Sequence, residues 1–329
     1  MVMPKKKQEY GNESITSLRG ADRVRKRPAV IFGSDGLEGC QHSFFEILSN
    51  SIDEAREGYG NIIEVTRFLD KSIEVRDYGR GIPLDYNENE ERFNWELVYC
   101  ELYAGGKYNN NDGGMYEYSL GLNGLGACAT QYSSEYMDVT VFRDKTKYTL
   151  HFEKGENIGG LEKVPYRKNE TGTIQRWKPD HDVFTDIDIP LEFFQDTLKK
   201  QAMVNAGLKF ILYNETENGM EMFEYYYENG IVDYLKETVG DKYFTSIENY
   251  EAERKGRDRE DKPDYRVKMQ IAFCFSNEVN ILEYYHNSSY LEHGGSPDKA
   301  VRNAFVYAID KYLKANNKYN KNESKITFN

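Results

Sequence analysis

Glu46-Ile47-Leu48-Ser49-Asn50-Ser51-Ile52-Asp53-Glu54-Ala55 is the stretch whose reading decides the rest of the chain. Wound as a helix, it sets Glu46, Asn50, Asp53 and Glu54 at i, i+4, i+7 and i+8, along one face. Leu48, Ile52 and Ala55 form a second, apolar stripe. The polar face holds only carboxylate and amide groups, with no cation before Arg56. Such a cluster suits a divalent metal and a water to be activated. A solvated acidic face has the same pattern, and both readings stand on this segment alone.

Two downstream segments supply context. Val75-Arg76-Asp77-Tyr78-Gly79-Arg80-Gly81-Ile82-Pro83 follows a strand-like run and breaks at two glycines and a proline, a tight turn where the backbone comes close to something flat or bulky. Ala104-Gly105-Gly106-Lys107-Tyr108 opens a Gly/Asn/Asp-rich stretch ending in Gly121-Leu122-Asn123-Gly124-Leu125-Gly126, with a helix-compatible run from Ala127. Glycines ahead of a helix N-terminus expose N–H groups and the positive end of the helix dipole to phosphate. An ordinary flexible loop has the same composition. The segment is neither a Walker A loop, since Tyr108 follows Gly106-Lys107, nor a dinucleotide fingerprint, since its glycines run G-x-x-G-x-G.

In this order, acidic-Asn helix, D-x-G-x-G-x-P, glycine-rich lid and Thr171-Gly172-Thr173, the motifs resemble the GHKL ATPase superfamily. Within it the chain is most similar to the B subunits of bacterial type IIA DNA topoisomerases, gyrase and topoisomerase IV. Arg23-Val24-Arg25-Lys26-Arg27-Pro28, Arg80-Gly81-Ile82-Pro83, Ala104-Gly105-Gly106-Lys107 and Glu292-His293-Gly294-Gly295 carry that narrower likeness, which runs from about Tyr10 to the last residue.

The resemblance implies ATP and Mg²⁺ as ligands and a role for each motif residue. Glu46 would be the general base for the attacking water, and Asn50 would give its amide oxygen to Mg²⁺. Asp77 would accept from the adenine amino group, Gly81 would let the base approach the backbone, and Thr173 would support Asp77 and a bound water. Glu54 and Arg80 would wall the pocket, with Ile82 and Pro83 beside them and Arg143 at its mouth. Lys107 and the N–H groups of Gly121, Leu122, Asn123, Gly124, Leu125 and Gly126 would hold the triphosphate. Tyr10 and Ile15, on an N-terminal arm, would reach across a nucleotide-dependent homodimer. Three lid positions depart from the family pattern: Glu117 and Asn123 stand where it has lysine and histidine, and Leu120 where it has glycine.

The family-level expectation is an ATP-hydrolysing module that closes a dimer and couples hydrolysis to DNA strand passage, together with a topoisomerase A subunit and double-stranded DNA. Alternatives are a MutL-like repair ATPase and a nucleotide-gated clamp with little turnover. Relatives carry a Gln-Thr-Lys loop and an acidic metal-binding domain that these 329 residues lack, so a fragment of a longer subunit is expected.

The composition fits a cytoplasmic enzyme domain, with 39% hydrophobic residues, 27 tyrosines, no apolar run of membrane-spanning length and no secretory signal. Cys40, Cys100, Cys128 and Cys274 lack C-x-x-C spacing and read as reduced thiols. A net charge of −12 implies weak DNA binding by this chain itself, confined to patches such as Arg23–Arg27, which read equally well as surface cations near a strand or turn.

The coarse pattern predicts an arm over 1–20, an α/β two-layer sandwich with a mixed, largely antiparallel sheet over 21–228, and the start of a second α/β (transducer) domain over 229–329. Strands are expected near 62–68, 72–76, 138–152, 172–178 and 209–213, and helices near 95–99, 193–205, 231–237 and 300–312. Residues 251–264, dense in charge, read as an exposed hairpin loop or a disordered stretch, and residues 266–329 as the beginning of a second α/β domain of the right-handed crossover type.

Overall fold

The computed structural model describes residues 17–104, 120, 124–257, 259–261 and 264–328. Tyr10, Ile15, Lys107, Glu117, Gly121, Leu122 and Asn123 lie outside the described residues. Short helices α1 (Asp22–Arg25) and α2 (Pro28–Phe32) lead into α3 (Leu37–Arg56), the helix expected around Glu46. Strands β1 (Ile62–Arg67) and β2 (Ile73–Asp77) follow, then a ladder of β3 (Tyr86–Asn87) with β4 (Arg92–Phe93), and helices α4 (Asn94–Cys100) and α5 (Gly126–Tyr132). The middle of the chain is β5 (Ser134–Arg143), β6 (Thr146–Glu153), β7 (Glu156–Pro165) and β8 (Gly172–Pro179). Helix α6 (Leu191–Val204) precedes β9 (Lys209–Thr216) and β10 (Gly219–Tyr225). After α7 (Ile231–Val239) come β11 (Glu248–Gly256) and β12 (Tyr265–Phe273), the small hairpin β13 (Tyr285–His286) and β14 (Ser289–Tyr290), and α8 (Gly295–Ala315).

Eight strands join one sheet in the order β10-β9-β1-β2-β8-β5-β6-β7. Strands β1 and β9 run parallel, and every other neighbouring pair is antiparallel. The sheet is thus mixed and largely antiparallel, as expected. Helix α3 turns Phe44, Ile47, Leu48 and Ile52 inward at 0% exposure. Phe194 and Leu198 of α6 complete the helical layer, against Val65, Val75, Val139, Trp177 and Phe210 of the sheet. Each such side chain contributes about 1.5–3 kcal/mol on leaving water, so this layer contact dominates the stability of the sandwich.

Four expectations need correction. Residues 251–256 belong to β11, which pairs with β12 in an antiparallel ladder, so they are strand rather than loop. That hairpin stands where the crossover unit was expected, and no parallel pair occurs past β9 among the described residues. Strands β7 and β10, at the two edges of the large sheet, were not anticipated. The Arg23–Arg27 segment is largely helical, and Arg25 is an internal anchor. Its guanidinium binds Asp180 at 2.6 Å and the carbonyls of Tyr132 and Ser134 at 3.1 and 3.3 Å.

Candidate functional site

Strand β2 ends at Asp77, whose carboxylate is buried at 8% exposure where the sheet passes beneath α3. Three donors meet it. The amides of Gly79 and Thr173 donate to Oδ1 at 2.9 and 3.2 Å, and the Ser51 hydroxyl of α3 donates to Oδ2 at 3.1 Å. Burial still outweighs these donors and pushes the Asp77 carboxyl up to about 6, with the negative charge of Glu54 adding to the effect. A carboxylate can accept about four hydrogen bonds, so one further N–H donor at this spot would be strongly favoured.

The turn after Asp77 is stitched into the sheet. Gly81 sits at φ +77°, and a Cβ there would lie 2.7 Å from the Phe142 carbonyl oxygen and 2.9 Å from Val141 Cγ1. The need for glycine therefore comes from the chain's own backbone. Arg143 donates to the Gly81 carbonyl at 2.8 Å, and the Ile82 amide donates to the Thr173 hydroxyl at 3.2 Å. Gly172, at φ +137°, brings the start of β8 so close that a Cβ would be 2.1 Å from the Asp77 carbonyl oxygen. Thr173 thus serves the site twice, with its amide on Asp77 and its hydroxyl on Ile82.

Glu54 and Arg80 form a two-pronged pair, Nε to Oε2 at 3.0 Å and Nη2 to Oε1 at 2.8 Å. The guanidinium also lies 4.0 Å from the centre of the Tyr59 ring. Arg80, Arg143, Tyr59, Tyr78 and Thr171 line an open cavity of about 380 Å³. Pro83 is exposed just beyond.

One and two turns before Asn50 on the same helix, Glu46 and His42 make a pair that the sequence reading missed. His42 Nδ1 meets the Phe32 carbonyl oxygen at 3.1 Å, which directs Nε2 at Glu46 Oε1, 3.2 Å away. The hydrogen bond to Glu46 raises the pKa of His42, against the effect of burial. The signal was legible as an i, i+4 His/Glu spacing. Gly126, at the start of α5, leaves room for the other oxygen: a Cβ there would stand 2.3 Å from Glu46 Oε2. Asn50 turns its amide nitrogen back onto the Glu46 carbonyl at 3.2 Å, and Asn50 is half-buried beside Glu46. Its amide oxygen is of the hard type that a magnesium ion accepts, so the donor chemistry at this face fits one. Asp53, 1% exposed, accepts the Leu120 amide at 2.8 Å. Gly124 accepts from the Tyr103 amide at 3.0 Å and Leu125 from the Ala129 amide at 2.7 Å, which places both at the entry to α5.

Of the expected residues, the fold brings Glu46, Asn50 and Gly126 together between α3 and α5, pairs Glu54 with Arg80, and joins Asp77, Gly81, Ile82, Arg143 and Thr173 where the turn after β2 meets β5 and β8. Ser51, His42 and Asp53 join them. Ser51 has no local sequence signal, because its partner Asp77 is 26 positions away.

Comparison with known proteins finds relatives of one kind. The family model described as DNA gyrase B matches residues 230–329. The DNA gyrase B protein of Mycoplasma genitalium is 32% identical over 326 residues, covering 96% of this chain and 49% of the relative. That of Thermotoga maritima is 31% identical over 318 residues, again 96% of this chain and 49% of the relative. The chain thus spans about half the length of these relatives. Among solved structures, the 43K ATPase domain of Thermus thermophilus gyrase B in complex with an aminocoumarin shares the fold with a TM-score of 0.71 and 27% identity, over 92% of this chain and 75% of that one. The family model on the C-terminal third and the relatives aligned along nearly the whole length of this chain thus agree that it is similar to DNA gyrase B.

Proposed function

We propose that this chain is the ATP-binding and ATP-hydrolysing module of a type IIA topoisomerase B subunit, with a GHKL domain over about 21–228 and the start of a transducer domain after it. The observation that carries the reading is Asp77, a buried carboxylate that holds three donors and is poised for a fourth. The adenine amino group supplies such a donor. Glu54, Arg80, Gly81, Ile82 and Pro83 would frame the base, with Arg143 at the mouth, and Gly124, Leu125 and Gly126 would face the phosphates at the start of α5.

Glu46 would orient a water and take its proton, while His42 Nε2 fixes the carboxylate. Mg²⁺, bound through Asn50, would neutralise phosphate charge. The remaining work of these residues is positioning and exclusion of water. Lys107, Gly121, Leu122, Asn123 and, from a partner protomer, Tyr10 would complete the enclosure. ATP-driven closure of a homodimer, cooperation with a topoisomerase A subunit, strand passage of double-stranded DNA and a cytoplasmic location belong to the same reading, which the similarity to DNA gyrase B proteins supports.

Calorimetry with a β,γ-imido ATP analogue and Mg²⁺ tests the reading. The wild-type chain should release binding heat that disappears in Asp77→Ala. Equal heat from both proteins, or none from the wild type, would refute the adenine pocket.

A further inference from the structure

Helices α3 and α6 lie side by side. Phe44 of α3 packs on Phe193 and Phe194 of α6 with ring centroids 6.3 and 4.9 Å apart, and Arg56 at the end of α3 donates to Asn205, just past α6, at 2.9 Å. The two helices therefore run in the same direction. Along them opens a second cavity, of about 460 Å³, which shares no lining residue with the one beside Arg80 and Arg143. Each helix gives it one stripe: Gln41, His42 and Phe45 of α3, and Phe193, Thr197 and Lys200 of α6. Tyr285, Ser289 and Tyr290 of the β13–β14 hairpin form a third wall. That wall is fixed in place by Ser288, whose hydroxyl accepts from Arg56 at 2.7 Å and whose carbonyl accepts from Gln201 at 3.0 Å. Ser288 and Gln201 are both buried.

A preformed cavity of this size, walled by aromatic rings with a few polar groups among them, is of the kind that takes a small molecule. Phe45, Phe193 and Tyr285 offer aromatic surface to a planar ring. Lys200 supplies the charge. Its ammonium lies 5.1 Å from the centre of the Tyr290 ring and has no carboxylate in ion-pair range among the described residues. The hydroxyls of Thr197 and Ser289 have no hydrogen-bond partner among the described residues either. Glu38, the one carboxylate on the wall, accepts from the Ser34 hydroxyl at 3.3 Å. It stands in the first turn of α3 and Lys200 in the second half of α6, so the two charges occupy opposite ends of the cavity. We propose that this cavity binds a small aromatic carboxylate, with its ring between Phe45 and Phe193 and its anionic group at Lys200, Thr197 and Ser289. Because the hairpin is one wall, the occupant also clamps residues 285–290 onto α6. Both hold whether or not the Asp77 pocket takes ATP.

Amide NMR of the whole chain, titrated with 2-naphthoate and with the uncharged 2-naphthamide, tests the site. 2-Naphthoate should bind with a dissociation constant of about 1 mM or tighter, the range open to a ligand of its size. It should shift the amides of Thr197, Lys200, Ser289 and Tyr290 and leave those of Gly79 and Arg80, at the other cavity, in place. 2-Naphthamide should bind at least about fivefold more weakly, for want of the charge-assisted contact. Lys200 is exposed, so Lys200→Met keeps the fold, and in that variant the two probes should bind alike. No shift with either probe, shifts centred on Gly79 and Arg80, equal binding of the two probes by the wild type, or a preference for the carboxylate that survives Lys200→Met would each overturn the proposal.

Hydrogen exchange tests the clamp. The Leu291 amide donates to the Tyr284 carbonyl at 2.8 Å and closes the hairpin. With 2-naphthoate at about ten times its dissociation constant, exchange at Leu291 should slow by about tenfold, since opening the hairpin dismantles the site. At the same probe concentration Lys200→Met should show less protection. Unchanged exchange at Leu291 in the saturated wild type would overturn the clamp.

Discussion

Asp77 concentrates the chemistry of the site in one carboxyl group, and its titration makes a measurable claim. Burial holds this group near 6, well above an ordinary aspartate. An adenine amino group donates to the carboxylate and not to the protonated acid, so a bound nucleotide must lower that value. By linkage, binding should release protons around pH 6, and affinity should fall by up to about tenfold per unit as pH drops below it. Calorimetry from pH 7.5 to 5, in two buffers of different ionisation enthalpy, reads both effects, and Asp77→Asn should abolish the pH dependence. A flat profile in the wild type would mean that the group is not the acceptor. The Gly81 backbone makes a separate claim. An added Cβ combines a left-handed φ with a 2.7 Å approach to the Phe142 carbonyl, so Gly81→Ala should cost about 2–4 kcal/mol in urea denaturation.

At the scale of elements, α3 and α5 meet at the Glu46 carboxylate, and the contact leaves no room for a side chain at Gly126. The Gly126→Ala methyl group would push Glu46 away from His42, but the far end of a flexible side chain can yield without unfolding the helices. Turnover should therefore fall about tenfold or more while nucleotide affinity changes by less than about threefold, the pattern of a group that acts mainly in the transition state. A steady-state kcat and KM for this variant settle it, and an equal loss in both parameters would place Glu46 in binding. How much of this was legible differs by element. Helix α3 announced itself because its polar and apolar faces obey one helical period, and β2 because its pattern breaks at the D-x-G-x-G turn. Strands β7 and β10 did not, because edge strands face water along much of their length and lose the alternation that marks a half-buried strand. Within the site, residues acting through their own side chains on local spacing were readable. Ser51 on Asp77 and the Thr173 hydroxyl on Ile82 were not, since they depend on how α3 and β8 lie against β2.

For the molecule as a whole, charge decides what this chain does with DNA. Its 43 basic residues are outnumbered by 55 acidic ones. Many of the cations are also engaged. Arg25 is held by Asp180, Arg67 by Asp188, Arg76 by Glu170 and Arg176 by Asp70, while Lys209 reaches Glu224. A phosphate approaching these groups would have to displace a carboxylate already in place, and would gain little from counterion release on a surface that is negative overall. The basic N-terminal segment offers less than its sequence promised, because Arg25 points into the fold. Fluorescence anisotropy with a labelled 20-base-pair duplex should therefore give a dissociation constant weaker than about 100 µM at 0.15 M salt. The logarithmic salt slope should be shallower than about −2, since each neutralised phosphate contributes about −0.9. A slope of −5 or steeper would reveal a basic surface that the paired charges do not predict.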